Sequence, residues 1–189
     1  MKLAEAFSCK NVGLAIFLLF TPVAAIFDLF AVPIPIWENS GTEVCMSMWG
    51  QKNNCLSTSY DVYTSDLNYC DAQKQMMYIA FASQIASILL SIAAFILGVI
   101  MAYQSSEKFW FPTVLVSWLA FLTIFWPFVA SVILSRTDIC NMGPLKDRGW
   151  VFTSGFGLGI IAWIFELAAV SLFMLLPSDI EGKDKVEDV

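Results

Sequence analysis

Four long stretches of this chain are almost free of charge, and the polar residues collect between them. Gln75 to Ser106 and Phe109 to Ser135 contain no acidic or basic residue, Trp150 to Leu176 carries only Glu166, and Val12 to Pro35 carries only Asp28. A bilayer core of about 30 Å takes about 20 apolar residues in helical form, so the pattern predicts four transmembrane helices. Their expected bounds are 12–35, 76–102, 109–135 and 150–176, with outer loops 36–75 and 136–149 and a tail 177–189. The few residues from Tyr103 to Lys108 suit a tight antiparallel hairpin of the second and third spans. The whole chain is then one tetraspan domain.

Composition agrees with that pattern. Of 189 residues, 58% are hydrophobic and only 14% charged, with a mean hydropathy of +0.71, too apolar for a soluble domain. Histidine is absent, which removes the usual general base and the commonest metal ligand, and no nucleophile, base and orienter can be assembled. The expectation is a protein that is not an enzyme. A net charge of -6 offers no basic stripe for nucleic acid, and the five cysteines show no paired CxxC motifs for zinc. No cofactor or metal is expected.

Two further readings concern the N-terminal part. Lys2 and Lys10 precede an apolar run in which Val23-Ala24-Ala25 could serve as a cleavage site,. The apolar character continues through Ile26, Leu29, Phe30 and Val32, so the run is taken as a retained helix. Cys9 stands at its inner end, where a thiol can be palmitoylated or simply buried.

Lysine and arginine do not settle the orientation, because five fall on each side of the expected membrane. Cysteine does. Cys45, Cys55, Cys70 and Cys140 all lie in the two long loops, with Cys9 alone on the other side. Four thiols on one side fit an oxidising compartment, which puts the loops outside a plasma membrane and both termini in the cytosol. Four cysteines allow three pairings; joining Cys45 to Cys55 closes a compact loop and leaves Cys70 to tie the first loop to the second through Cys140. Reduced, buried thiols are the alternative.

The segment between Pro33 and Gln75 is too long for a plain connector and turns abruptly polar and aromatic. Its "CLSTSYDVYTSDLNYC" stretch is rich in Thr, Tyr and Val with partial alternation, which predicts a small antiparallel sheet lying over the helix ends. No N-x-S or N-x-T sequon occurs, and the rarer N-x-C form at Asn53 and Asn68 competes with disulfide formation, so N-glycosylation is not expected.

Inside that segment, "CMSMWGQKNNC" closely resembles the signature of the amastins, surface glycoproteins of kinetoplastid parasites. Cys45, Ser47, Trp49, Gly50, Lys52, Asn54 and Cys55 stand at its defining positions, while Met46 and Met48 replace the bulkier aliphatic or aromatic residues more usual there. The resemblance implies a four-helix membrane bundle with cytosolic ends and a disulfide-stapled extracellular β-sheet cap, distantly similar to claudins. The claudin GLW triplet is absent, so paracellular sealing is not implied. Amastins as a family are linked to host interaction, adhesion and membrane organisation, which makes a host or neighbouring-cell surface, or a second copy in a homo-oligomer, the expected partner besides the lipid bilayer. On physical grounds alone, Trp49 is read as an amphipathic anchor packed under the sheet or dipping into the headgroup layer, with Gly50 allowing a sharp turn beside it.

The remaining polar positions lie within the spans. Asp28 sits about 12 Å below the outer end of the first helix at 1.5 Å per residue, and Gln84 reaches a similar depth on the second. A hydrogen bond between them, or a water-mediated link toward Arg136, would satisfy Asp28. Glu166 lies deeper on the fourth span with no basic residue in reach, and is expected to be protonated and turned into the bundle. These acids also define the competing expectation, an oligomeric channel or proton-linked transporter. Gly155 and Gly159 form a GxxxG pair expected to let helices approach closely. Trp37, Trp110 and Trp150 are expected in an interfacial aromatic belt, and the acidic tail ending Glu187-Asp188-Val189 is read as a solvated end with a faint likeness to a PDZ ligand.

Overall fold

The structure, a computed structural model, describes residues 12–57, 59–104, 107–141 and 143–176. Cys9 and the tail 177–189 lie outside the described residues. Four long helices make up the bundle: α1 (Val12–Ala31), α2 (Asp71–Gln104), α3 (Trp110–Arg136) and α4 (Ser154–Leu175). All four are long and apolar enough to cross a membrane. α1 packs chiefly on α4 and α2 on α3, the latter pair joined by the short connection that predicts a hairpin.

The distribution of side chains is that of a membrane bundle. Leu19, Leu29, Phe30, Leu89, Ile96 and Leu122 point outward, each at least half exposed, while Asp28 and Glu166 are buried. Apolar groups facing outward and carboxyls facing inward suit a lipid solvent, where the exposed backbone of loops and open edges is excluded.

Each helix end has a local cause. α1 stops at Ala31, short of the expected residue 35, because Pro33 disfavours helical backbone at Val32 and Pro35 follows at once. α2 begins at Asp71, directly after Cys70, and at 34 residues is about 50 Å long, so its first turns stand above the apolar slab. Pro112 is accommodated in the first turn of α3, where amides have no intrahelical partner anyway. Pro127 lies inside α3, and the carbonyl of Pro127 accepts from Ser131 Oγ at 2.7 Å.

At one end of the bundle sits an antiparallel sheet of five strands in the order β4-β3-β2-β1-β5. Its strands are β1 (Trp37–Asn39), β2 (Cys45–Met46), β3 (Gly50–Lys52), β4 (Val62–Tyr63) and β5 (Trp150–Phe152). β5 corrects the expectation that residues 150–152 open the fourth helix. Trp37 pairs with Phe152 and Asn39 with Trp150, so strand pairing takes these residues, and the helix starts only after Thr153. Trp37 also differs from the expected belt role: it is fully buried in the cap and stacks on Phe152 at 6.3 Å.

Two apolar cores result. One joins Ile36, Trp37, Met46, Met48 and Leu67 of the cap to Met77, Ala80, Ala130 and Leu134 on α2 and α3. The other, at the opposite end of the bundle, contains Leu14, Phe17, Met101, Val114 and Phe173. Buried Asp28, Gln84, Ser87, Ser91 and Glu166 form a polar layer on α1, α2 and α4.

Candidate functional site in the cap and the layer beneath it

The signature segment is a hairpin whose residues serve distinct local ends. β2 pairs with β3 with Met46 opposite Gln51, and Ser47 N donates to Gly50 O at 2.9 Å, leaving Met48 and Trp49 at the tip. Ser47 is buried; its Oγ accepts from Trp49 N at 3.1 Å and donates to Tyr60 Oη at 3.1 Å. The hydroxyl thus closes the turn and ties it to the next segment. Asn54 Oδ1 accepts from Leu56 N at 2.9 Å, an Asx turn with Cys55 at its centre.

Gly50 is required for a reason other than the sharp turn expected of it. Among the described glycines only Gly143 and Gly149 have positive φ. Gly50 instead lies opposite Tyr63 on β4, and a Cβ there would sit 3.1 Å from Tyr63 Cα and collide with the carbonyl oxygen of Val62. Close strand approach is the constraint.

Trp49 is 43% exposed and meets Phe81 of α2 edge-on at 4.6 Å while stacking on Tyr60 at 6.4 Å. Phe81 lies ten residues along α2, so the hairpin tip reaches down the helix flank and leaves the ring partly exposed there. Both methionines of the segment, Met46 and Met48, are buried in the cap core.

Lys52 is the least expected of the set, since it is only 4% exposed. Its ammonium donates to the carbonyls of Pro33 at 3.2 Å and Ser57 at 2.9 Å, and stands 4.6 Å from the Tyr60 ring centroid. One cation therefore links the end of α1, the loop after Cys55 and the aromatic face, with its stem packed inside the sheet.

The four loop cysteines form two disulfides. Cys45 bridges Cys55, and Cys70 bridges Cys140, so the first joins within the hairpin and the second binds the start of α2 to the segment after α3. Glu38 has its carboxylate within 4.8 Å of the Cys45 and Cys55 sulfurs, but bridged sulfurs are not thiolates, and a single carboxylate is no metal site. Thr64 and Tyr69 also brace the cap, Thr64 Oγ1 donating to Met48 O at 2.8 Å and Tyr69 Oη to Met46 Sδ at 3.2 Å. Neither stands out in the sequence. Burial raises the Tyr69 phenol above its ordinary value, with Arg148 opposing it.

Beneath the cap, Gln84 Nε2 donates to Asp28 Oδ1 at 3.2 Å, and Ser87 Oγ donates to Asp28 Oδ2. Ser87 follows Gln84 by three residues on one helical face, a spacing that was open to detection. Asp28 also lines a cavity of about 30 Å3 with Gln84, Ser131 and Gly159, room for about one water. Glu166 is fully buried and neither of its carboxyl oxygens has a hydrogen-bond partner among the described residues. The Ser91 hydroxyl, which likewise makes no hydrogen bond of full geometry among the described residues, faces the Glu166 carboxyl as its donor. The GxxxG expectation divides: a Cβ on Gly155 would lie 2.6 Å from the carbonyl oxygen of Ile34, whereas nothing stands within 4 Å of one on Gly159. Gly155 admits the 34–35 backbone rather than a helix, and its amide donates to Pro35 O at 3.1 Å.

Four apolar helices with one disulfide-stapled sheet at a single end define a multi-pass tetraspan membrane protein. Its sequence matches the amastin surface glycoprotein family over residues 22–173, most of the chain, and the protein belongs to that family. None of the curated proteins compared with it matches.

Proposed function

We propose that the cap faces the outside of a plasma membrane, with both termini cytosolic, and that it is a contact module for a host surface, a neighbouring membrane or a second copy of the chain. The observation that carries this reading is the confinement of both disulfides and of the sheet to one end of the bundle. Oxidised cysteines persist in oxidising compartments, and a stapled sheet holds a surface rigid enough for recognition at little ordering cost. Leu56, 93% exposed, and half-exposed Tyr63 supply apolar contact groups on that cap.

Two measurements test it. On intact cells, an impermeant alkylating reagent should label Cys45, Cys55, Cys70 and Cys140 only after reduction, and Cys9 only after lysis. Labelling of the four without reduction, or only after lysis, would overturn the outward cap. Replacing Cys45 and Cys55 together with serine should then lower adhesion or self-association while the protein still reaches the surface; unchanged contact would remove the contact role.

A second reading, proton or cation movement along the polar layer, is favoured by one observation, the fully buried Glu166 carboxyl, whose oxygens make no hydrogen bond of full geometry among the described residues. Reconstituted wild-type protein would then carry a pH-dependent current that D28N/E166Q protein lacks. Equal currents in both would eliminate it.

A further inference from the structure

A groove of about 490 Å3 lies where α1 and α4 meet the cap, within the about 300–1,000 Å3 of small-molecule sites. Pro33, Ile34 and Pro35, which follow α1, form one wall, Thr153 and Ser154 at the start of α4 another, and Glu38, Lys52 and Leu56 of the cap complete it. It lies just past Ala31, the last residue of α1, and at Ser154, the first of α4, the ends of two helices long and apolar enough to cross a membrane.

The charge distribution of the groove is unusual. Lys52 is buried, and its ammonium is met by two carbonyls and a tyrosine face. Among the described residues no carboxylate pairs with it. Dipoles and a ring orient a buried cation but do not neutralise it, and an uncompensated buried charge is costly. At the same groove α4 begins without a side-chain cap; the Gly155 amide is taken by the Pro35 carbonyl, and the dipole of that helix end still favours negative charge. Glu38 contributes the opposite sign, and exposed Leu56 with Ile34 adds apolar surface. The groove thus offers a cationic corner, an anionic group and an apolar rim.

We propose that this groove binds the headgroup of a zwitterionic phospholipid, its phosphate near Lys52 and the first turn of α4, its ammonium toward Glu38, and its acyl chains along the lipid-facing side of the bundle. Charge complementarity and the level of the groove favour a lipid over a soluble anion. The groove shares Leu56 and the Cys45–Cys55 bridge with the contact surface, but lipid binding and cell contact are read separately, so either can fail alone.

The full-length protein, purified in detergent and stripped of lipid, is titrated with dioleoylphosphatidylethanolamine and followed by native mass spectrometry. One saturable adduct is expected, with at least tenfold weaker binding in Lys52→Met, near wild-type binding in Lys52→Arg, and a shift of preference toward phosphatidylglycerol in Glu38→Gln. Peptide mapping of both disulfides confirms that the variants are folded. Should Lys52→Met fail that check, Ser154→Phe, which fills the groove from an exposed position, must abolish the adduct in its place. Wild-type adduct levels in a folded Lys52→Met or in Ser154→Phe would overturn the site. Equal binding of dioleoylglycerol would reduce it to tail contact, and full competition by inorganic phosphate would make it a soluble-anion site; either result also rejects the proposal.

Discussion

Two residues of the cap show how little space or charge it tolerates. Gly50 has no room for a methyl group because β4 crosses directly over it. Gly50→Ala must therefore part β3 from β4, an overpacking that costs about 1–3 kcal/mol, and a thermal melt in detergent should fall accordingly. Gly159→Ala, inside α4 with nothing within 4 Å of the added methyl, should raise it slightly, since Ala is favoured over Gly in a helix interior by about 0.5–1 kcal/mol. Tyr69 supplies a pH dependence. Its phenol is raised above the ordinary value of about 10 by burial, with Arg148 opposing. A raised folded-state value means that the neutral phenol stabilises the fold fully below about pH 10 and that this contribution is lost as pH climbs through the folded value. Cap unfolding, followed by near-ultraviolet circular dichroism, should therefore begin above pH 10 and be blunted in Tyr69→Phe. Much at this scale lay open to sequence reading and some did not. The Asp28–Gln84 pair follows from matching depths on two spans, and the signature residues from their spacing. The burial of Lys52 does not, because a lysine in a polar loop carries no mark of the two distant carbonyls that receive it.

At the scale of elements, the same division has a topological cause. Four apolar runs are local features, so the four helices were legible, with ends displaced wherever proline or strand pairing intervened. β1 and β5 lie more than a hundred residues apart, and no local pattern in Trp150–Phe152 separates a strand edge from a helix start; only pairing with residues 37–39 decides it. The disulfides stabilise these elements unequally. Cys45–Cys55 spans 10 residues and Cys70–Cys140 spans 70, so the chain-entropy model gives about 3 and about 4 kcal/mol respectively. The longer bridge also fastens the segment between α3 and α4 to the top of α2. Serine replacement of Cys70 and Cys140 should lower the melting temperature more than replacement of Cys45 and Cys55, and should expose β5 amides to hydrogen exchange. The reverse order of melting temperatures would show that the hairpin, not the tie between loops, limits stability.

Across the whole molecule, a polar layer beneath the cap departs from the rule that a bundle core is uniformly apolar, and its two acids are held differently. Asp28 accepts from Gln84 and Ser87, so its loss would strand the Gln84 amide, while the Ser87 hydroxyl keeps the Gln84 carbonyl at 2.6 Å. Glu166 is equally buried, but among the described residues neither oxygen makes a hydrogen bond of full geometry and the Ser91 hydroxyl is the donor that faces it, so its desolvation is compensated less than that of Asp28. Removing one member of a satisfied buried network costs about 1–3 kcal/mol per stranded group, whereas replacing an unsatisfied polar group by an apolar one of similar volume is often neutral or stabilising. The two substitutions should consequently differ in sign: Asp28→Leu lowers the melting temperature in detergent, Asp28→Asn recovers part of the loss by keeping an acceptor for one donor, and Glu166→Met leaves stability unchanged or raises it. A protein kept for stability alone would have little reason to retain Glu166. If Glu166→Met is stabilising yet abolishes a pH-dependent current, the carboxyl serves transport; if it is strongly destabilising, Glu166 is held by contacts other than those of the static bundle, and the contrast between the two acids fails.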